Sequence, residues 1–102
     1  MALMEFTLFP MDKGESLSEY VAGTMSVIKD SGLPYRLNPM GTVVEGEWEE
    51  LIKLLTNSVK KMEEKSNRLN LSVRFDIRKG VTGALTKKIE SVQAKSDFKV
   101  CT

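Results

Sequence analysis

Tyr35-Arg36-Leu37-Asn38-Pro39-Met40-Gly41-Thr42-Val43-Val44-Glu45-Gly46-Glu47-Trp48 holds two short extended runs, a tight turn and a helix start in direct succession. Asn38, Pro39 and Gly41 take the first, second and fourth places of a type I turn, where those residue types are favoured. The Pro39 ring presets φ, and an Asn at the first place hydrogen-bonds its own backbone two residues on. Residues 35–38 and 42–45 therefore read as the two arms of a hairpin. Gly46 ends the second arm, and Glu47, Glu49 and Glu50 load acid onto the first turn of a helix, where the macrodipole favours it.

Upstream, residues 2–9 alternate. Ala2, Met4, Phe6 and Leu8 fall on one face, while Leu3, Glu5, Thr7 and Phe9 fall on the other, as a strand requires. Pro10 is expected to stop this strand, and residues 12–15 read as a polar loop. Ser16 followed by Glu19 is a capping-box pair, opening a helix with Tyr20, Val21, Met25 and Ile28 on one side. Gly23 costs that helix about 1 kcal/mol relative to Ala, a sign of close packing beside it. Asp30-Ser31-Gly32 closes the helix before Pro34.

Downstream, Trp48, Leu51, Ile52, Leu55, Val59 and Met62 form the apolar stripe of a second helix, which Ser66-Asn67 ends. Residues 68–78 make the longest alternating run. Leu69, Leu71, Val73, Phe75 and Ile77 form its apolar face; Asn70, Ser72, Arg74 and Asp76 lie on its polar face. Gly80 and Gly83 flank a break before a last helix marked by Leu85, Ile89 and Val92, with Lys87 and Lys88 outside. In the tail, Phe98 and Val100 are candidates to pack or pair.

This order, strand-helix-strand-strand-helix-strand with a terminal helix added, implies a single α+β domain over residues 1–102. Right-handed crossovers give a ferredoxin-like βαββαβ sandwich, with a four-stranded antiparallel sheet and an additional C-terminal helix. The first and third strands are central, and both main helices cover one face. The other face carries Glu5, Thr7, Phe9, Ser72, Arg74 and Asp76. A mixed sheet face that no helix covers is usually buried by a second copy, so a homodimer stacked through the sheets is expected, or a homotetramer using the terminal helix as well. In the third strand period two leaves a choice: Val44 inward sends Val43 and Glu45 to the open face, and Val43 inward sends Thr42 and Val44 there. Glu45 on the open face is favoured, because an acid beneath the helices needs a partner.

Fifteen basic against fourteen acidic residues give no electrostatic footprint for nucleic acid or an anionic membrane. No apolar run approaches the length of a spanning helix, and the opening residues lack the basic lead-in of a signal peptide, so a cytoplasmic location is expected. Cys101 has no internal partner. The absence of histidine removes His-based metal sites, Ser-His-Asp and Cys-His nucleophile systems and the usual proton shuttle. Carboxylates, Lys, Tyr and a lone thiol remain, which argues against an enzyme.

Tyr35, Thr42 and Glu45 supply a ring, a hydroxyl and a carboxyl within one hairpin, and Met40 adds an adaptable apolar surface. That set suits a small planar heterocycle bearing an amino group. The bland reading, in which the hairpin is structural and Gly41 and Thr42 serve only the turn, stands beside it. So does a pairing of Arg74 with Asp76 across the sheet interface.

The run from Leu37 to Trp48 resembles the Pro-Met-Gly-Thr-x-x-Glu-Gly signature of the small thiamine-binding protein family, matched here by residues 39–46. The opening strand, the chain length and the Arg74-x-Asp76 strand agree with that resemblance over nearly the whole chain. It implies a ferredoxin-like subunit, sheet-stacked dimers and often tetramers. It also implies non-catalytic binding of thiamine or its hydroxymethylpyrimidine portion near the sheet–sheet interface, without a further cofactor or metal. An aminopyrimidine offers ring acceptors and an amine donor, for which Glu45 is the first expected contact, Thr42 the second, and Tyr35 a stacking or donating group. Met40, Gly41, Arg74 and Asp76 complete the candidate set. The alternative is a regulatory or structural oligomeric module with no small ligand.

Overall fold

Alternation along the first strand sets the core. In a computed structural model describing residues 1–14, 17–80 and 83–100, β1 (Ala2–Pro10) buries Ala2, Met4, Phe6 and Leu8 on one face. The strand runs through Pro10 instead of stopping before it: Pro10 takes the last rung, opposite Leu69, where proline's missing N–H is tolerated. β1 lies between β3 (Gly41–Gly46) and β4 (Leu69–Ile77), and β2 (Tyr35–Asn38) pairs outside β3. All pairings are antiparallel, in the order β2-β3-β1-β4 that the split crossover requires.

α1 (Ser18–Ser31) begins after Leu17, which supplies no side-chain cap; Ser16 of the expected capping box lies outside the described residues. Gly32 ends the helix at φ 75°, the left-handed cap that glycine adopts without penalty. Thr24 and Ile28 are its buried residues, with Tyr20 and Met25 partly buried, while Val21 is exposed. Gly23 is not tightly packed: a Cβ there would meet nothing nearer than Lys61 Cε at 4.0 Å.

α2 (Trp48–Glu63) opens as its acids dictate, with the Glu47 N–H donating to Glu50 Oε1 at 3.0 Å. Its fully buried residues are Leu51, Leu54, Ser58 and Met62; Leu51 and Met62 belong to the expected stripe, Leu55 and Val59 of that stripe are partly buried against the core, and Leu54 and Ser58 extend it. Ser58 enters the core because its hydroxyl donates to the Leu54 carbonyl at 2.9 Å, so no polar atom is stranded. Trp48 stays half-exposed, leaning on the Phe75 ring at a centroid distance of 4.8 Å. Ile28, Val44, Leu51, Leu54 and Met62 close the core against the inner face of β1.

β4 places its apolar row on the core side, opposite Met4, Phe6 and Leu8. Being an edge strand, it leaves Leu71, Val73 and Ile77 exposed. α3 (Ala84–Lys95) returns toward β1 and β3, and Lys88 forms an ion pair with Asp76. The face opposite α1 and α2 is therefore not wholly open; α3 approaches its Leu3–Glu45–Asp76 end. Beyond α3 the Gln93 side chain ties the tail, donating to the Phe98 carbonyl at 2.7 Å and accepting from the Val100 N–H at 2.6 Å. Phe98 remains exposed, and Cys101 lies outside the described residues.

Candidate functional site

Register decides where the hairpin side chains go. Opposed residues of an antiparallel pair share a face. Val44 lies opposite Met4 and Thr42 opposite Phe6, so both point toward α1 and α2. Val43 lies opposite Glu5 and Glu45 opposite Leu3, so both point the other way. The favoured orientation of Glu45 is the observed one. Thr42 and Glu45, expected to share one ligand, stand on opposite faces of the sheet. Tyr35 lies opposite Val44 at the end of the hairpin away from the turn, 38% exposed.

On the helix side the turn residues 38–42 lean against α1 and enclose a cavity of about 290 Å³. Phe6 and Leu8 form its floor, and Thr24 and Met25 its α1 wall. Met40, Gly41 and Thr42 line it; Tyr35, Glu45, Arg74 and Asp76 do not. Its polar groups are hydroxyls and the Asn38 amide. Thr42 Oγ1 is buried and has Met25 Sδ at 3.9 Å, a weak acceptor that a nitrogen or oxygen ligand outcompetes. Thr24 Oγ1 donates to the Tyr20 carbonyl at 3.4 Å, keeping its lone pairs. Among the described residues no charged side chain lines the cavity, a lining whose chemistry suits a neutral, partly polar group.

On the other face a shallower hollow of about 180 Å³ lies over Leu3 and Val43, bordered by Glu5, Arg74 and Asp76. Arg74 stands opposite Glu5 in the β1–β4 ladder. Asp76 pairs with Lys88 of α3, not with Arg74. The Lys88 hydrogen bond, first, with the charges of Lys88 and Arg78, holds the Asp76 carboxyl below the usual carboxylate range, against a desolvation that pushes it up. Glu45, 5% exposed, sits on this face beyond Leu3. The seven expected site residues thus divide: Met40, Gly41 and Thr42 at the helix-side cavity; Arg74, Asp76 and Glu45 on the opposite face; Tyr35 at neither. A larger furrow between α1 and α2, about 490 Å³ and lined by Asp30, Glu50 and Lys53, contains none of them.

A family model described as thiamine-binding protein matches residues 4–93. The chain belongs to the thiamine-binding protein family. Among its relatives, the UPF0045 protein Mb1933 of Mycobacterium bovis is 34% identical over 92 residues, covering 89% of this chain and 90% of the relative. The UPF0045 protein MJ1052 of Methanocaldococcus jannaschii is 30% identical over 88 residues, covering 86% and 88%. The crystal structure of MJ1052 superposes with a TM-score of 0.83 at 28% identity, over 89% of this chain and 94% of that one. TM0486 of Thermotoga maritima, provisionally assigned to thiamine biosynthesis or salvage, superposes at 0.78 over 89% and 97%, with 23% identity, a likeness of fold. The family-matched segment contains the turn, Phe6, Leu8, Thr24 and Met25, so the whole cavity lies within it.

Sequence reasoning overlooked Thr24 and Met25. Both lie on the α1 face read as core, and only the fold brings them to the turn. Thr24 was detectable as a hydroxyl between Tyr20 and Ile28 on an otherwise apolar stripe.

Proposed function

We propose that this chain binds thiamine or its hydroxymethylpyrimidine portion without transforming it, with the aminopyrimidine ring in the cavity between α1 and the hairpin turn. The observation carrying this reading is that Met40, Gly41 and Thr42 of the signature line a cleft that opens to solvent at Met40, has no charged side chain among the described residues that line it, and bears the buried Thr24 and Thr42. Small-molecule sites run from about 300 to 1,000 Å³, so about 290 Å³ suits one substituted ring better than two linked ones. The thiazolium, being cationic, stays at the mouth beside the exposed Met40 thioether, where it keeps its hydration. The hydroxyls meet the ring nitrogens and the amine. A chain without histidine has few groups for proton transfer, which supports binding over catalysis. A cytoplasmic protein that buffers or delivers the vitamin fits these features; among the described residues no helix is long and apolar enough to cross a membrane.

A second reading places the ligand on the opposite face, where Glu5, Arg74 and Asp76 surround the smaller hollow. A stacked second copy would enclose it, as a homodimer or within a homotetramer. Isothermal titration with hydroxymethylpyrimidine and thiamine separates the two. Saturating heat is expected from the wild type, with affinity about tenfold weaker in Thr42→Val, the cost of one unmade hydrogen bond in a buried site, and unchanged in Asp76→Asn. The reverse pattern moves the ligand to the other face. No heat with either compound, from folded protein, overturns ligand binding and leaves an oligomeric module without a small ligand.

A further inference from the structure

By alternation Thr7 belongs to the row of β1 that faces away from α1 and α2, between Glu5 and Phe9, yet at the hairpin turn it borders the ring cavity. Its hydroxyl nevertheless reaches the hairpin turn, donating to the Met40 carbonyl at 3.0 Å. A Cβ built on Gly41 would fall 3.0 Å from the same Thr7 Oγ1 and 3.2 Å from the Phe6 carbonyl oxygen. The two observations interlock. A side chain at Gly41 would crowd Thr7 and the β1 backbone and force one of them to give, and Thr7 can close on Met40 because Gly41 leaves room.

The β1–β3 ladder ends with Phe6 opposite Thr42. Met40 lies past that last rung, and its side chain is 87% exposed, so it has little apolar grip on the rest of the domain. The Thr7 hydrogen bond extends the hold of β1 on the hairpin to the turn. The turn in turn forms one side of the cavity, with Thr42 two residues beyond Met40.

We infer that Thr7 is a positioning residue for the ring cavity: from the cavity's border its hydroxyl braces the Pro39–Met40 turn through the Met40 carbonyl and so sets where the mouth and the Thr42 hydroxyl stand. This rests on the reading of the cavity as the ring site. Valine keeps the branched shape of threonine without the donor; serine keeps the donor without the branch. Hydroxymethylpyrimidine is titrated into wild type, Thr7→Val and Thr7→Ser, and amide exchange at Met40, Gly41 and Thr42 is followed without ligand. Thr7→Val is expected to weaken binding about threefold to tenfold, one net hydrogen bond, and to speed exchange at the turn. Thr7→Ser is expected to restore both. If Thr7→Val does not fold, Thr7→Ala takes its place in the comparison.

Wild-type affinity in Thr7→Val, a loss that serine does not rescue, or weaker binding with unchanged exchange at the turn, which would mean direct contact with the ligand, overturns the positioning role alone. Wild-type protein that binds neither hydroxymethylpyrimidine nor thiamine overturns the ring-site reading and the role with it.

Discussion

The two faces of this sheet are built from the same strands and serve different ends. On the helix side, β1 contributes Met4, Phe6 and Leu8, all buried, and the hairpin contributes Thr42 and Val44. On the other side the same strands offer Glu5, Thr7, Val43 and Glu45, joined by Arg74 and Asp76. The first face is apolar, with isolated hydroxyls; the second is charged, and α3 approaches one end of it. In a strand, residues an odd number of positions apart cannot meet one ligand on one face. Thr42 and Glu45 are such a pair. Nearness in sequence made them look like one site, and the pleat divides them.

The largest expected effect separates the faces by stability. Phe6 is 3% exposed and forms the floor of the ring cavity. Phe6→Ala is expected to cost about 3–5 kcal/mol in urea unfolding. Phe9, on the opposite face and only half-buried, should cost no more than about 1–2 kcal/mol on the same substitution. Equal costs would mean that the charged face is as well packed as the core. Next comes Gly41→Ala, which forces a methyl against the Thr7 hydroxyl and the Phe6 carbonyl. A loss of about 1–3 kcal/mol is expected, together with weakened ring binding; a neutral effect on both would show that the turn gives way easily. In the opposite direction, the methyl of Gly23→Ala on α1 meets only the end of the Lys61 side chain, at 4.0 Å. It should stabilise the cavity's helical wall by about 0.5–1 kcal/mol, read as a higher melting temperature.

Much of this was legible in the sequence, for identifiable reasons. Strict alternation over residues 2–9 and 68–78 assigned both long strands and their faces, because period two leaves no freedom once one apolar row is buried. The turn chemistry of Asn38-Pro39 and Gly41 placed the hairpin, and the acids at Glu47, Glu49 and Glu50 placed the start of α2. The α2 stripe was legible in Leu51, Leu55, Val59 and Met62, which lie in or against the core, but Leu54 and Ser58 were left out of it. Ser58 looks polar in sequence, and only its bond to the Leu54 carbonyl reveals that it is at home in the core. The ring cavity was half legible: its turn is contiguous, whereas its other wall, Thr24 and Met25, comes from a helix whose distance from the turn no local pattern encodes. The Lys88–Asp76 pair was hidden for the same reason.

The smallest effect contrasts two acids at the edges of the domain. Asp12 accepts from the Ser66 hydroxyl and from the Asn67 N–H at 3.1 Å, and these bonds, the Ser66 one first, hold its carboxyl below its ordinary range. Asp76 is held down chiefly by Lys88. A carboxyl with a depressed folded pKa contributes stability that is fully present above its unfolded pKa and is lost as pH falls through the folded value. Wild-type stability should therefore decline as pH drops below about 4, and Asp12→Asn and Lys88→Met should each flatten part of that decline. Salt tells the two apart. Asp76 leans on a flexible, half-exposed ammonium, which added electrolyte screens. Asp12 leans on neutral donors, the hydroxyl belonging to a buried serine, and short-range hydrogen bonds persist in salt. Molar salt should erase the difference between Lys88→Met and wild type and leave that of Asp12→Asn intact. If both differences vanish, Asp12 too is held by charge, and the tie between the first loop and the start of β4 is looser than its geometry.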